Sequence, residues 1–198
     1  MFEVKMPNSG LRSPLAHVPD LANRTLSVDQ KSCAMVENAF QGFINIRGNP
    51  SDAAFLSAVE SVLGVALPLK ANTVALGANC TLFWLGPDEW LYKGVYSTVP
   101  TVVTQLKTAL NGQHVAVVDV SSGYTTLAIS GAGAAGLIAR GCPLDLHPKA
   151  LPVGACAQTH IAKSAALIRP LESGTFEVVV RRSFARYLVD WLCAASDN

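Results

Sequence analysis

Two stretches of this chain spell the same order of elements, and that recurrence limits the folds open to it. Phe43-Ile44-Asn45-Ile46-Arg47-Gly48 and Thr126-Leu127-Ala128-Ile129-Ser130-Gly131 are both strand-like runs closed by glycine. Each is followed by a helix-like segment, a Pro-Leu pair (Pro68-Leu69 and Pro143-Leu144), three strand-like runs and a second helix. The unit is β-α-β-β-β-α, used twice, over about residues 42–112 and 113–196. Such a unit buries one face of its strands against its own helices and leaves the other for its twin. The expected fold class is α+β, with two similar halves and mixed or antiparallel sheets in a single domain over residues 41–198.

Local signals place the elements. Asn49 reads as a helix N-cap, with Pro50 at the first helical position and Asp52 in the first turn. Phe55, Val59, Val62 and Leu63 share one helical face, and Gly64 stops it. Strand-like runs at 73–76, 81–85 and 89–92 are split by Gly77-Ala78-Asn79 and Gly86-Pro87-Asp88, both turn sequences. A helix begins near Pro100, presents Val102, Leu106, Ala109 and Leu110, and ends at Asn111-Gly112. Residues 115–120 are almost all apolar, which predicts a central strand. A strand at 124–130 and a short helix of small residues at 131–140 follow, then strands at 156–162, 165–169 and 176–181. Ser183 reads as the cap of a last helix whose apolar face is Phe184, Tyr187, Leu188, Trp191 and Leu192.

Residues 1–40 differ: Pro7, Pro14 and Pro19 interrupt them, and little periodicity survives. They read as an extended N-terminal arm whose Leu11, Leu15, Val18 and Leu21 can dock on its own domain or on a partner. Composition favours a partner. Half of the 198 residues are hydrophobic and only 15% are charged, against about 25% in ordinary globular domains. A surface so short of charge is covered by another protein or built from small uncharged residues. The net charge of +1 and the lack of stacking aromatics around Arg181-Arg182 argue against nucleic acid. No run approaches the ~20 apolar residues of a membrane span. The opening MFEVKMPNSGLRSPLAH has no secretory leader pattern, and five irregularly spaced cysteines without a CxxC fit reduced thiols in a cytoplasmic protein.

Four motifs could carry chemistry. Gly141-Cys142-Pro143-Leu144-Asp145-Leu146-His147 offers a thiol with His147 nearby, or with His160 brought in from a later strand; the plainer reading is a chain-turning loop. Asp119, before Ser121 and Ser122, is a base at a strand end or a turn-holding carboxylate. Gly131-Ala132-Gly133-Ala134-Ala135-Gly136 has dinucleotide-loop spacing, but no acidic residue follows at ribose distance, so close helix packing is the better reading. In Leu85-Gly86-Pro87-Asp88-Glu89-Trp90-Leu91, Asp88 and Glu89 alternate faces, which suits a hairpin rather than an acid/base pair.

With these runs in hand, the chain resembles the gamma subunits of heterotetrameric sarcosine oxidases. The resemblance rests on Arg12-Ser13-Pro14-Leu15, Leu85-Gly86-Pro87-Asp88-Glu89-Trp90-Leu91, Asp119-Val120-Ser121, Ile129-Ser130-Gly131, Gly141-Cys142-Pro143-Leu144-Asp145-Leu146-His147-Pro148 and Arg181-Arg182-Ser183-Phe184-Ala185. It implies a subunit without a cofactor or active site of its own, working with alpha, beta and delta subunits. It also implies that the complex demethylates sarcosine to glycine, forming hydrogen peroxide and either formaldehyde or 5,10-methylenetetrahydrofolate. FAD, FMN, NAD and tetrahydrofolate then belong to the larger partners and zinc to the smallest. No catalytic, cofactor-binding or metal residue is expected here. Arg12, Leu15, Trp90 and His147, within the resembling motifs, are the candidate partner contacts. The fold is also similar to the folate-binding domain of aminomethyltransferases, so a stand-alone tetrahydrofolate-binding protein is the rival. A related complex acting on another N-methyl amine would look the same from this chain.

Overall fold

The computed structural model describes residues 10–18, 21 and 24–197. A hairpin comes first, β1 (Thr25–Val28) and β2 (Lys31–Asn38). The first repeat follows as β3 (Gln41–Arg47), α1 (Ala53–Leu63), β4 (Val74–Leu76), β5 (Cys80–Gly86), β6 (Glu89–Val95) and α2 (Val99–Ala109). A single strand, β7 (Ala116–Asp119), leads into the second repeat. That repeat is β8 (Tyr124–Ser130), α3 (Ala134–Ala139), β9 (Ala157–Ile161), β10 (Ser164–Pro170), β11 (Phe176–Arg181) and α4 (Ala185–Ala194). The doubled β-α-β-β-β-α unit is present as read.

The strands form two antiparallel sheets, β4-β5-β6-β3-β7 and β1-β2-β8-β11-β10-β9. Their leading strands are exchanged. β2 runs directly into β3 but pairs with β8, Met35 facing Ile129. β7 runs into β8 but pairs with β3, Asn45 facing Val118. Each repeat is completed by a strand from the other's lead-in, so neither sheet is whole without both.

Four layers result. α1 and α2 cover the outer face of the five-stranded sheet around Ile44, Ile46, Leu82 and Trp90. α3 and α4 cover the six-stranded sheet around Leu127, Ile129, Val178 and Val180. The inner faces meet through Phe43, Phe83 and Leu91 against Cys156, Leu167 and Val179. Alternation along β11, Val178 and Val180 one way and Val179 the other, is why an unbroken apolar run serves two cores at once.

Several expectations are corrected. Residues 25–38 are strands, not arm: Leu26, Val28, Cys33 and Met35 alternate into the core, a period-2 signal hidden by the proline-rich flank. Ahead of them, Leu15, Val18 and Leu21 are buried in the same core, so the arm docks on its own domain. β7 is an edge strand, not a central one: Val117 is buried while Val118 is about half exposed. Because β7 completes the first repeat's sheet, the division near residue 112 does not separate the two sheets. Asp52 rather than Asn49 caps α1, its carboxylate accepting the Ala54 and Phe55 amides; Asn49 instead accepts the Ser51 amide in the preceding turn. Gly64 ends that helix at φ 68°, as expected. Ser183 sits inside a short 3-10 turn, and α4 starts without a side-chain cap. Phe184 and Tyr187 stay exposed, because Ala185, Leu188, Val189 and Leu192 form the buried face.

Candidate functional site

The loop at 141–148 is built by local bonds. The Asp145 carboxylate accepts the His147 amide at 2.9 Å, and His147 Nδ1 accepts the Lys149 amide at 3.2 Å. Cys142 is buried with its sulfur 3.6 Å from the Thr159 hydroxyl. His160 follows Thr159 on β9, and neighbouring strand residues point to opposite faces. The imidazole therefore lies on the far side of the sheet from Cys142, lining the space between the sheets. No thiol–imidazole pair forms there.

The other motifs also hold the fold. Asp119 accepts both the amide and the hydroxyl of Ser121, at 2.9 and 2.6 Å. At Gly131, φ is 99°, and an added Cβ would lie 2.7 Å from the Ser32 carbonyl oxygen; at Gly133 one would lie 2.4 Å from that of Lys31. The glycine run thus lets the α3 turn press on the β1–β2 hairpin, and this chain's own backbone fills the approach a dinucleotide would need. In the β5–β6 hairpin, Asp88 pairs with Arg47 at 2.9 Å and Glu89 accepts from the Asn45 side-chain Nδ2 at 2.7 Å. Among the described residues no group of three or more His, Cys, Asp and Glu is placed to hold a metal ion.

The four candidate contacts differ in exposure. Trp90 is fully buried, its indole N–H donating to the Pro68 carbonyl at 2.8 Å, and Leu15 is buried in the core of its own chain. Arg12 and His147 are exposed. The Arg12 carbonyl accepts from the Arg182 guanidinium, which ties the arm to the turn after β11.

Two constellations escaped the sequence reading. Between the sheets, Glu177 lies 4% exposed against Lys93 of β6 and Arg169 of β10, the latter at 2.6 Å. Burial pulls the Lys93 ammonium below its ordinary range while Glu177 works against that shift. Arg169 also stacks over the Phe83 ring, 5.4 Å from its centre. The signal was visible as charges inside otherwise apolar strands, Phe176-Glu177-Val178 and Ile168-Arg169-Pro170. Nearby, burial pushes the Cys156 thiol up to about 11.

The second constellation is a hollow of about 340 Å³ between the sheets. Buried Leu91, Leu167 and Val179 floor it, and Gln158 reaches across to donate to the Leu85 carbonyl at 2.7 Å. On its wall Arg181 lies over the Tyr124 ring, 4.6 Å from the centre. A basic pair that lacked an aromatic neighbour in sequence has one in space, because β8 pairs with β11 and puts Tyr124 opposite Arg181. The arrangement suits contact with an anionic, partly apolar group.

Comparison with known proteins follows the same line. The model of the sarcosine oxidase, gamma subunit family matches residues 47–198. Sarcosine oxidase subunit gamma of an Arthrobacter species is 30% identical over 93% of this chain and 89% of that one. That of Corynebacterium sp. strain U-96 is 29% identical with the same coverage. A chain in the structure of heterotetrameric sarcosine oxidase from Corynebacterium sp. U-96 superposes with TM-score 0.85 at 28% identity, over 93% of this chain and 94% of that one. Aminomethyltransferase T of the Bartonella henselae glycine cleavage system shares the fold alone: TM-score 0.64, 15% identity, 90% of this chain and 56% of that one. Matched by the family model over three-quarters of its length and by gamma subunits over nearly all of it, the chain belongs to the sarcosine oxidase, gamma subunit family.

Proposed function

We propose that this chain is the gamma subunit of a heterotetrameric sarcosine oxidase, where it assembles and stabilises the complex and performs no step of the oxidation itself. The observation that carries the reading is the near-complete superposition on a chain of such a complex. The fates of the chemical motifs support it: the thiol loop, the strand-end carboxylate and the glycine run each make contacts that shape the fold. The surface adds to this. Charge is scarce, and Leu69, Leu76 and Val153 are each more than half exposed, as apolar side chains awaiting burial would be.

In this reading alpha, beta and delta subunits are the partners and the cytoplasm is the site of assembly; among the described residues no helix is long and apolar enough to cross a membrane. FAD, FMN, NAD and tetrahydrofolate sit on the larger partners and zinc on the smallest. The oxidation of a C–N bond requires a cofactor such as flavin, and this chain contributes buried surface instead. Arg12 and His147 remain proposed contacts. Co-expression with the other subunits tests the reading. A complex that retains this chain through size exclusion, and loses stability without it, is expected. An isolated chain that binds tetrahydrofolate at micromolar concentration, measured by calorimetry, would favour the stand-alone alternative.

A further inference from the structure

The hollow between the sheets does not end at Tyr124. A second hollow, about 220 Å³, also has Tyr124 in its lining and is bordered by Leu11, Arg12, Phe40, Tyr96 and Arg182. Tyr124 lines both, so the two hollows adjoin at that residue, and together they make one candidate groove. Its charged lining is of one sign: Arg12, Arg181 and Arg182, with His160 at the far end and no Asp or Glu among the described lining residues. The chain as a whole is balanced, with 15 Lys and Arg against 14 Asp and Glu, so composition does not explain the excess. Two carboxylates accept hydrogen bonds from residues of the lining, Glu37 from the Ser13 and Thr125 hydroxyls and Asp119 from Ser121, and neither pairs with a groove arginine among the described residues. Arg181 pairs with no carboxylate among the described residues. The Tyr124 ring holds its guanidinium instead, leaving the N–H donors free at the edge.

The groove is also apolar. Leu91, Leu167 and Val179 make its floor, and Leu11 and Phe40 stand exposed at its rim. Phe40 has φ 55°, a conformation that a bulky residue adopts only when its surroundings impose it. A small anion would satisfy one arginine and leave the floor and rim bare. Arginine and aromatic side chains around an apolar pocket are the composition of a protein-binding hot spot.

Resting on the subunit reading above, we infer that this groove receives an extended acidic segment of a partner subunit, with an apolar side chain in the floor and carboxylates on the arginines. The test uses the co-expressed complex, with Arg181→Glu and Arg181→Lys compared in it and thermal melts confirming that both variants fold. Arg181→Glu is expected to weaken retention of the chain by about tenfold or more, less so at high salt, with Arg181→Lys near wild type. Amides of residues 10–15 and 157–161 should gain protection from hydrogen exchange on assembly. Wild-type retention of Arg181→Glu, or equal exchange of those amides in the free and assembled chain, overturns the inference. So does protection that arises from self-association of the chain alone, or only on adding citrate. A chain that joins the complex with its groove open sinks this inference and leaves the subunit reading standing; a chain that joins no subunit sinks both.

Discussion

The hydroxyl of Ser121 accepts the backbone N–H of Phe43 at 2.9 Å while lying 2.6 Å from the Asp119 carboxylate. The contact sits where the chain leaves β7 in one sheet and enters β8 in the other, and it ties that crossing to β3. Ser121→Ala strands a buried amide, and is expected to lower unfolding free energy by about 1–3 kcal/mol in urea titration. Asp119→Asn keeps an oxygen acceptor and should have the smaller effect.

Glu177 is the only acid in a buried group with two cations, Lys93 and Arg169. Glu177→Leu leaves both without a counter-charge, and should destabilise by about 3–5 kcal/mol, more than the combined change Lys93→Met with Glu177→Leu. The sign with pH follows from Lys93. Its folded pKa lies below the 10.5 of the unfolded chain, so the unfolded state binds more protons between the two values. The Lys93 contribution to stability therefore rises with pH through that window. Subtracting the curve of Lys93→Met from that of the wild type isolates the slope; a flat difference would contradict it.

Cys156 has the opposite sign. Its thiol titrates at about 11 in the folded protein against 9.0 in the unfolded chain. The stability it supplies is complete below 9.0 and lost as pH rises through about 11. Cys156→Ala should flatten this part of the alkaline unfolding curve. Alkylation of Cys156 at neutral pH should also be slow, its thiolate being scarce.

A methyl group at Gly133 meets the Lys31 carbonyl oxygen at 2.4 Å. Gly133→Ala should displace the β1–β2 hairpin and cost about 1–3 kcal/mol, with faster hydrogen exchange at 25–36. A glycine run serving a nucleotide would instead show a binding defect with the fold intact.

The indole N–H of Trp90 satisfies the Pro68 carbonyl. Trp90→Phe keeps most of the packing against Phe55, whose ring centre is 5.8 Å away, but removes the donor; a loss of about 1–2 kcal/mol is expected. Trp90→Ala should cost about 3–5 kcal/mol.

Much of the fold was legible because its signals are local. Gly64 marked the end of α1, Gly86-Pro87-Asp88 marked a hairpin, and the matched runs ending at Gly48 and Gly131 marked the repeat. Where local signals competed, reading failed: Asn49 and Asp52 both have capping chemistry, and only backbone geometry assigned the cap to Asp52. The β1–β2 hairpin was missed because Pro14 and Pro19 coloured the whole segment as irregular. The residues of the groove were legible one at a time but not as a group, since Arg12, Tyr124 and Arg181 are far apart in the chain.

By itself the sequence determined the kind and order of elements from β3 to α4, their doubling, and the family, because periodicity, turn residues and motifs act over a few neighbouring positions. Only the tertiary structure decided that β2 and β7 exchange sheets, that Trp90 and Leu15 face inward, and that Tyr124 carries Arg181. Those outcomes depend on strand pairing between residues distant in the chain, and pairing selects which face of each strand is covered and which is left for another molecule.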